Sequence, residues 1–131
     1  MRSKLKVAAA SLGLTALLLA ASLSAQEGFP LDGTWRGDHG PDAANRTAVV
    51  IVMKWNGNTI EGIINPGPNS FPFSAASLEP SSWTVRIEAQ SRDGAPIVID
   101  AVLENIGSYN RTLTGTWTQA GVADTFKLRR E

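Results

Sequence analysis

The sequence predicts an all-β protein: an antiparallel up-and-down barrel of about eight strands, with a two-sheet β-sandwich as the alternative. Three observations carry this. After position 25, runs of β-branched and aromatic residues alternate with polar ones, and turn residues recur every 8–14 positions, the spacing of a sandwich or barrel. No window there sustains a helical period. The connections are too short for crossover helices, so neighbouring strands must pair antiparallel. Closure into a barrel removes the exposed edges that a sandwich keeps, which favours the barrel.

The first 25 residues stand outside this fold. Arg2, Lys4 and Lys6 form a positive start, "VAAASLGLTALLLAASL" is uncharged, and "SLSAQ" offers small residues for cleavage between Ala25 and Gln26. This is the layout of a secretory signal peptide. A retained anchor is the alternative, because the uncharged run of 17 residues approaches the length of a spanning helix. About half of that run is Ala, Gly, Ser or Thr and a polar region follows at once, so cleavage is favoured. No Cys stands at the cleavage point to take a lipid. The expected location is therefore secreted or periplasmic, without membrane insertion of the mature chain.

Cleavage leaves 131 − 25 = 106 residues, Gln26–Glu131, enough for one domain. With no cysteine, apolar burial rather than disulfides must hold it together. Loss of three basic residues leaves 12 − 3 = 9 Lys+Arg against 12 Asp+Glu. A net charge near −3 without a basic run argues against nucleic acid or an anionic membrane surface as partner.

The strands follow in order. The first lies around "GTWRG". "TAVVIVMKW" (47–55) puts Val49, Ile51, Met53 and Trp55 on one face, and "NGN" turns it into "TIEGIIN" (59–65), since Asn and Gly tolerate the positive φ of primed turns. A short strand lies in "FPFSAASL". "WTVRIEA" (83–89) points Trp83, Val85, Ile87 and Ala89 inward. "IVIDAVLEN" (97–105) aligns Ile97, Ile99, Ala101 and Leu103. "TLTGTWT" (112–118) and "TFKLRR" (125–130) close the chain as a hairpin across "QAGVAD".

The tripeptide GTW occurs twice, at Gly33–Trp35 and Gly115–Trp117. Glycine inside a strand marks a bend or a close approach of another segment. Gly33 with Trp35 at the start of the first strand resembles the G-x-W element of the calycins (lipocalins, fatty-acid-binding proteins and avidins). That resemblance implies that Trp35 covers one barrel end and that Arg129 or Arg130 of "KLRR" lies across its indole, a cation–π contact of about 0.5–2 kcal/mol. "LDGTWRGDHG" also resembles the first strand of the nitrobindins, which hold haem. "INPGP" and "GSYNRTLTGTWT" are similar to stretches of short secreted bacterial proteins, which implies no function. If the barrel closes, Trp35 and Trp117 are expected in one aromatic layer, with Gly33 and Gly115 making room.

The candidate chemistry is sparse. His39, the only histidine, sits with Asp38 and Asp42 in "GDHGPD", which reads as a polar turn; one His and no Cys do not make a metal site. A lone His in a first loop is no proximal haem ligand either, so no cofactor is expected. There is no Cys nucleophile and no G-x-S-x-G, and Glu61, Glu88, Asp100 and Glu104 fall on outward positions of their strands. No matching set of polar positions supports biotin binding. The sequence therefore reads as non-enzymatic.

Four Trp in the mature chain suit either a core or a ligand that stacks or is apolar. An eight-stranded barrel is just wide enough to be filled by its own side chains or to hold one small ligand. Trp55, Ile51, Val85, Ile87, Ile99, Leu103, Trp117 and Phe126 make the inward set bulky, so at most a shallow pocket at one mouth is expected. "INPGPNSFPF" (64–73), stiffened by three prolines, shapes or seals that mouth with Phe71 and Phe73. Tyr109 in "NIGSYNRT" is expected to be partly exposed. Two function classes follow: a small apolar or carbohydrate ligand held by Trp55, Trp83, Phe71, Phe73 and Tyr109, or a filled structural or interaction module that meets an envelope protein.

Overall fold

The computed structural model describes residues 29–131. The proposed signal segment and its cleavage point lie outside these residues. Eight strands run in sequence order around a closed antiparallel barrel: β1 (Gly33–Gly40), β2 (Thr47–Trp55), β3 (Ile60–Ile64), β4 (Phe71–Glu79), β5 (Thr84–Gln90), β6 (Pro96–Glu104), β7 (Thr112–Gln119) and β8 (Val122–Arg130). Closure is made by β1 on β8, in register from Trp35↔Arg130 to Gly40↔Thr125. That ladder distinguishes the barrel from the sandwich.

Alternation sets what fills it. Val85, Ile87 and Ala89 of β5 and Ile97, Ile99, Ala101 and Leu103 of β6 are all buried, and the residues between them face out. Among the described residues eighteen apolar side chains form one buried cluster and no polar residue is buried, so the interior is a packed core.

The connections alternate between two mouths. At one, here the terminal mouth, lie the β2–β3, β4–β5 and β6–β7 turns together with Phe29–Asp32 and Glu131. At the other, the far mouth, lie the β1–β2, β3–β4, β5–β6 and β7–β8 turns. The terminal mouth is shut by Leu31 and Trp35, both fully buried, with Trp35 Nε1–H donating to the Leu31 carbonyl at 2.9 Å. Arg111 ties the lid down by donating to the Pro30 carbonyl at 2.7 Å and to the Ile106 carbonyl. Burial, and then the neighbouring Arg130, lower the Arg111 pKa from its ordinary value.

Trp117 does not share a layer with Trp35. In register it stands opposite Asp124, six positions along β8 from the Arg130 that pairs with Trp35, or roughly 20 Å of strand. The first GTW begins β1 whereas the second ends near the close of β7, and both strands run from the terminal to the far mouth. The same tripeptide therefore serves opposite ends. Gly115 makes room for backbone rather than indole: a Cβ there would meet the Asp100 carbonyl oxygen at 2.0 Å.

Two further expectations change. Trp55 shares the inward parity of Ile51 and Met53, yet it is the last residue of β2 and is 38% exposed at the rim. Trp83 is not part of a strand; it sits in the β4–β5 turn with φ 54°, a conformation that turns it out of the inward row.

One seam differs from the rest. β3 and β4 pair only through Ile63↔Pro72 and Ile64↔Phe71, and β4 bulges between Phe73 and Ala75. Proline has no N–H to give the ladder. Gly62 is needed where the strands meet, because a Cβ there would stand 2.3 Å from Phe73 Cε2.

Candidate functional site

The five residues proposed to hold a ligand do not converge. Trp55, Trp83 and Tyr109 are on the terminal mouth, whereas Phe71 and Phe73 begin β4 at the far mouth and lie half-buried against the core. Tyr109 is 97% exposed in the β6–β7 turn. The Trp83 carbonyl accepts from Leu103 N–H at 2.8 Å, which extends the β5–β6 ladder by one bond. Trp55 is the best placed of the five. Its indole stacks on Phe29 with centroids 4.9 Å apart and planes at 20°, and the Trp55 main-chain N–H donates to Asp32 Oδ1 at 2.7 Å.

The residues assigned to closure divide similarly. Gly33 has φ 129° and Trp35 seals the terminal mouth. Arg129 faces out and is exposed, opposite Arg36 in register, because the inward row of β8 runs Phe126, Leu128, Arg130. Arg130 is the residue on the Trp35 side, with its Cδ 3.4 Å from where a Gly33 Cβ would stand.

Beside Trp55, the β3–β4 seam opens into a groove. Where the ladder stops, a depression of about 500 Å³ lies between Ile60–Gly62 and Phe73–Ala76. It adjoins a second of about 390 Å³ that runs under Phe29 and Trp55 to Leu78 and Pro80, with Thr59, Ile60 and Ala76 common to both. The walls combine apolar side chains with strand backbone that has no ladder partner.

At the far mouth the structure gathers a cluster that the sequence reading placed in a loop. β1 continues past Asp38 to Gly40, which puts His39 on the inner face with Trp35 and Gly37. Its ring stacks on Trp117 at 4.1 Å and 4°, and Nδ1 lies 3.0 Å from Asp124 Oδ2. The other oxygen, Asp124 Oδ1, is buried without a hydrogen-bond partner. Trp117 Nε1–H donates to Gln119 Oε1 at 3.2 Å. The one available signal was parity: position 39 continues the 35–37 row. Asp38 instead faces out and pairs with Arg46, with Oδ1 2.8 Å from Nη2, while Arg46 also reaches Thr125 and the Gly40 carbonyl. Asp42 caps the β1–β2 turn by accepting from the Ala44 and Asn45 N–H groups.

Chemically, the far-mouth cluster sets one imidazole between a carboxylate and an indole face. Among the described residues no three His, Cys, Asp or Glu side chains gather for a metal. The outward carboxylates have ordinary partners: Asp100 and Glu88 bind Arg86, Glu104 accepts from Thr114 Oγ1 at 2.7 Å, and Glu61 accepts from Asn56 Nδ2 at 2.9 Å.

No protein-family model matches the chain, and no curated protein sequence matches it either.

Proposed function

We propose that this is an exported, non-enzymatic barrel of calycin-like type that acts as an interaction module of the cell envelope, working from its surface. The filled interior carries the reading: eighteen buried apolar side chains occupy the space a calycin-like ligand would need. The grooves along the β3–β4 seam and beside Trp55 lie open on the flank and rim. Localisation outside the cytoplasm rests on the signal-like first 25 residues.

A second reading has its own support. The stacked and half-exposed Trp55 beside Phe29 offers a platform for a small apolar or carbohydrate ligand at the terminal mouth. Native mass spectrometry of the exported protein, purified without denaturation, separates the two. The interaction module gives the mass of Gln26–Glu131 free of small adducts, with an envelope protein bound in fixed ratio. A discrete small adduct, lost on Trp55→Ala, would replace it with the ligand reading.

A further inference from the structure

We infer that the wedge where β3 and β4 part is a docking site for an extended polypeptide strand whose side chains alternate between apolar and basic. The inference rests on the interaction-module reading and gives that module its surface and the chemistry of its partner.

The backbone argues for a strand. β4 remains a strand through Glu79 because β5 pairs along its other edge, from Phe73↔Ala89 to Glu79↔Thr84. Its edge towards β3 has no partner beyond Pro72, nor has the facing edge of β3 at Ile60–Gly62. An edge of this kind presents a row of main-chain donors and acceptors at the strand repeat, which an added strand satisfies in register and a hydrocarbon cannot. The groove of about 500 Å³, continued by that of about 390 Å³, lies along this edge.

The pleat sets the chemistry of the occupant. Side chains of a docked strand that point inward meet Phe73, Ala76 and Leu78, with Phe29 and Trp55 beyond them, and so are apolar. Those that point outward lie between Glu61 of β3 and Glu79 of β4, both exposed, and so are basic. Neither carboxylate is in an ion pair among the described residues. Lys54 stands opposite Glu61 in register, but Glu61 bonds Asn56 instead. Arg86, opposite Ser77, is engaged by Asp100 and Glu88. A second copy of this chain is the poorer occupant, because two such wedges face to face bring carboxylate against carboxylate.

The probe is an acetylated, amidated hexapeptide of alternating Val and Lys, titrated into the exported, ¹⁵N-labelled protein and followed by amide shifts. Expected are saturable shifts confined to Ile60–Gly62 and Ser74–Glu79, with Kd below about 1 mM. Binding falls about tenfold for the Val/Glu peptide or for the exposed Glu61→Lys variant, whose dispersed spectrum reports its fold. A Val/Lys peptide N-methylated at alternate residues, unable to complete the ladder, loses binding. Shifts centred elsewhere, equal binding of the N-methylated peptide, wedge shifts that follow protein concentration alone, or no saturation would each overturn the inference. An envelope protein still bound in the native mass spectrum would then leave the interaction module standing, whereas a small adduct there would remove both.

Discussion

The β6–β7 and β3–β4 seams are both antiparallel junctions in the same small barrel, yet one is zipped and the other hardly joined. β6 and β7 pair at eight consecutive positions from Ile97↔Gln119 to Glu104↔Thr112, over buried Ile99, Leu103, Leu113 and Trp117. β3 and β4 pair at two, one of which is a proline. The glycines at the two seams show why. Gly115 lets the β6 backbone come within contact distance, so it tightens its ladder; Gly62 admits the Phe73 ring, so it trades ladder for a side chain. Strand number and barrel closure do not by themselves fix how strongly each seam holds. The β3–β4 junction closes the barrel topologically and leaves backbone free beside it.

The contrast can be strained from either side. The largest effect is expected from Trp35→Ala, which empties a fully buried site under the Leu31 lid; a loss of about 3–5 kcal/mol is expected, read as a lower urea midpoint. Next come the two glycines. Gly115→Ala drives a Cβ to 2.0 Å from the Asp100 carbonyl oxygen, backbone that is pinned on both sides, and should cost about 2–3 kcal/mol. Gly62→Ala meets the Phe73 ring, which has an open groove to turn into, though the Val52 carbonyl oxygen at 2.7 Å still resists. Its cost is expected near 1 kcal/mol. An equal midpoint shift for the two would erase the distinction.

The smallest effect concerns a turn that neither seam depends on. Asp93, fully exposed between β5 and β6, is held below its ordinary pKa first by the Ser91 hydroxyl and then by the Ala95 N–H. A carboxylate with a lowered folded value stabilises above its unfolded pKa and loses that contribution as pH falls through the folded value. A carboxyl NMR titration should place Asp93 below 3.8, while Ser91→Ala moves it back up.

Much of the fold was legible because burial writes a period of two into the chain. Val85/Ile87/Ala89 and Ile97/Ile99/Ala101/Leu103 state their faces without reference to neighbours, and short turns leave antiparallel pairing as the one arrangement. What was not legible depends on the partner across the ladder. "GDHGPD" has the composition of a turn, but β1 pairs on through His39↔Thr47 and His39↔Phe126, so the histidine lands inside against Trp117. Trp55 has inward parity, but its strand ends where the barrel does. Trp83 adopts a positive φ that no local signal announces for a bulky residue. Arg129 and Arg130 are adjacent, and only the register of β8 says which faces Trp35. Pro72 was read as a stiffener of the β3–β4 connection; its consequence, a ladder that stops, follows from what stands opposite.

The most direct measurement is amide hydrogen exchange of the native protein, resolved by residue. Amides in the β6–β7 ladder should exchange only through global unfolding, whereas alternate amides of Ser74–Glu79 on the β3 side, and those of Ile60–Gly62 on the β4 side, exchange from the folded state orders of magnitude faster. Equal protection along both seams would show that β3 and β4 are bonded throughout, and the account of a barrel with one open seam would be wrong.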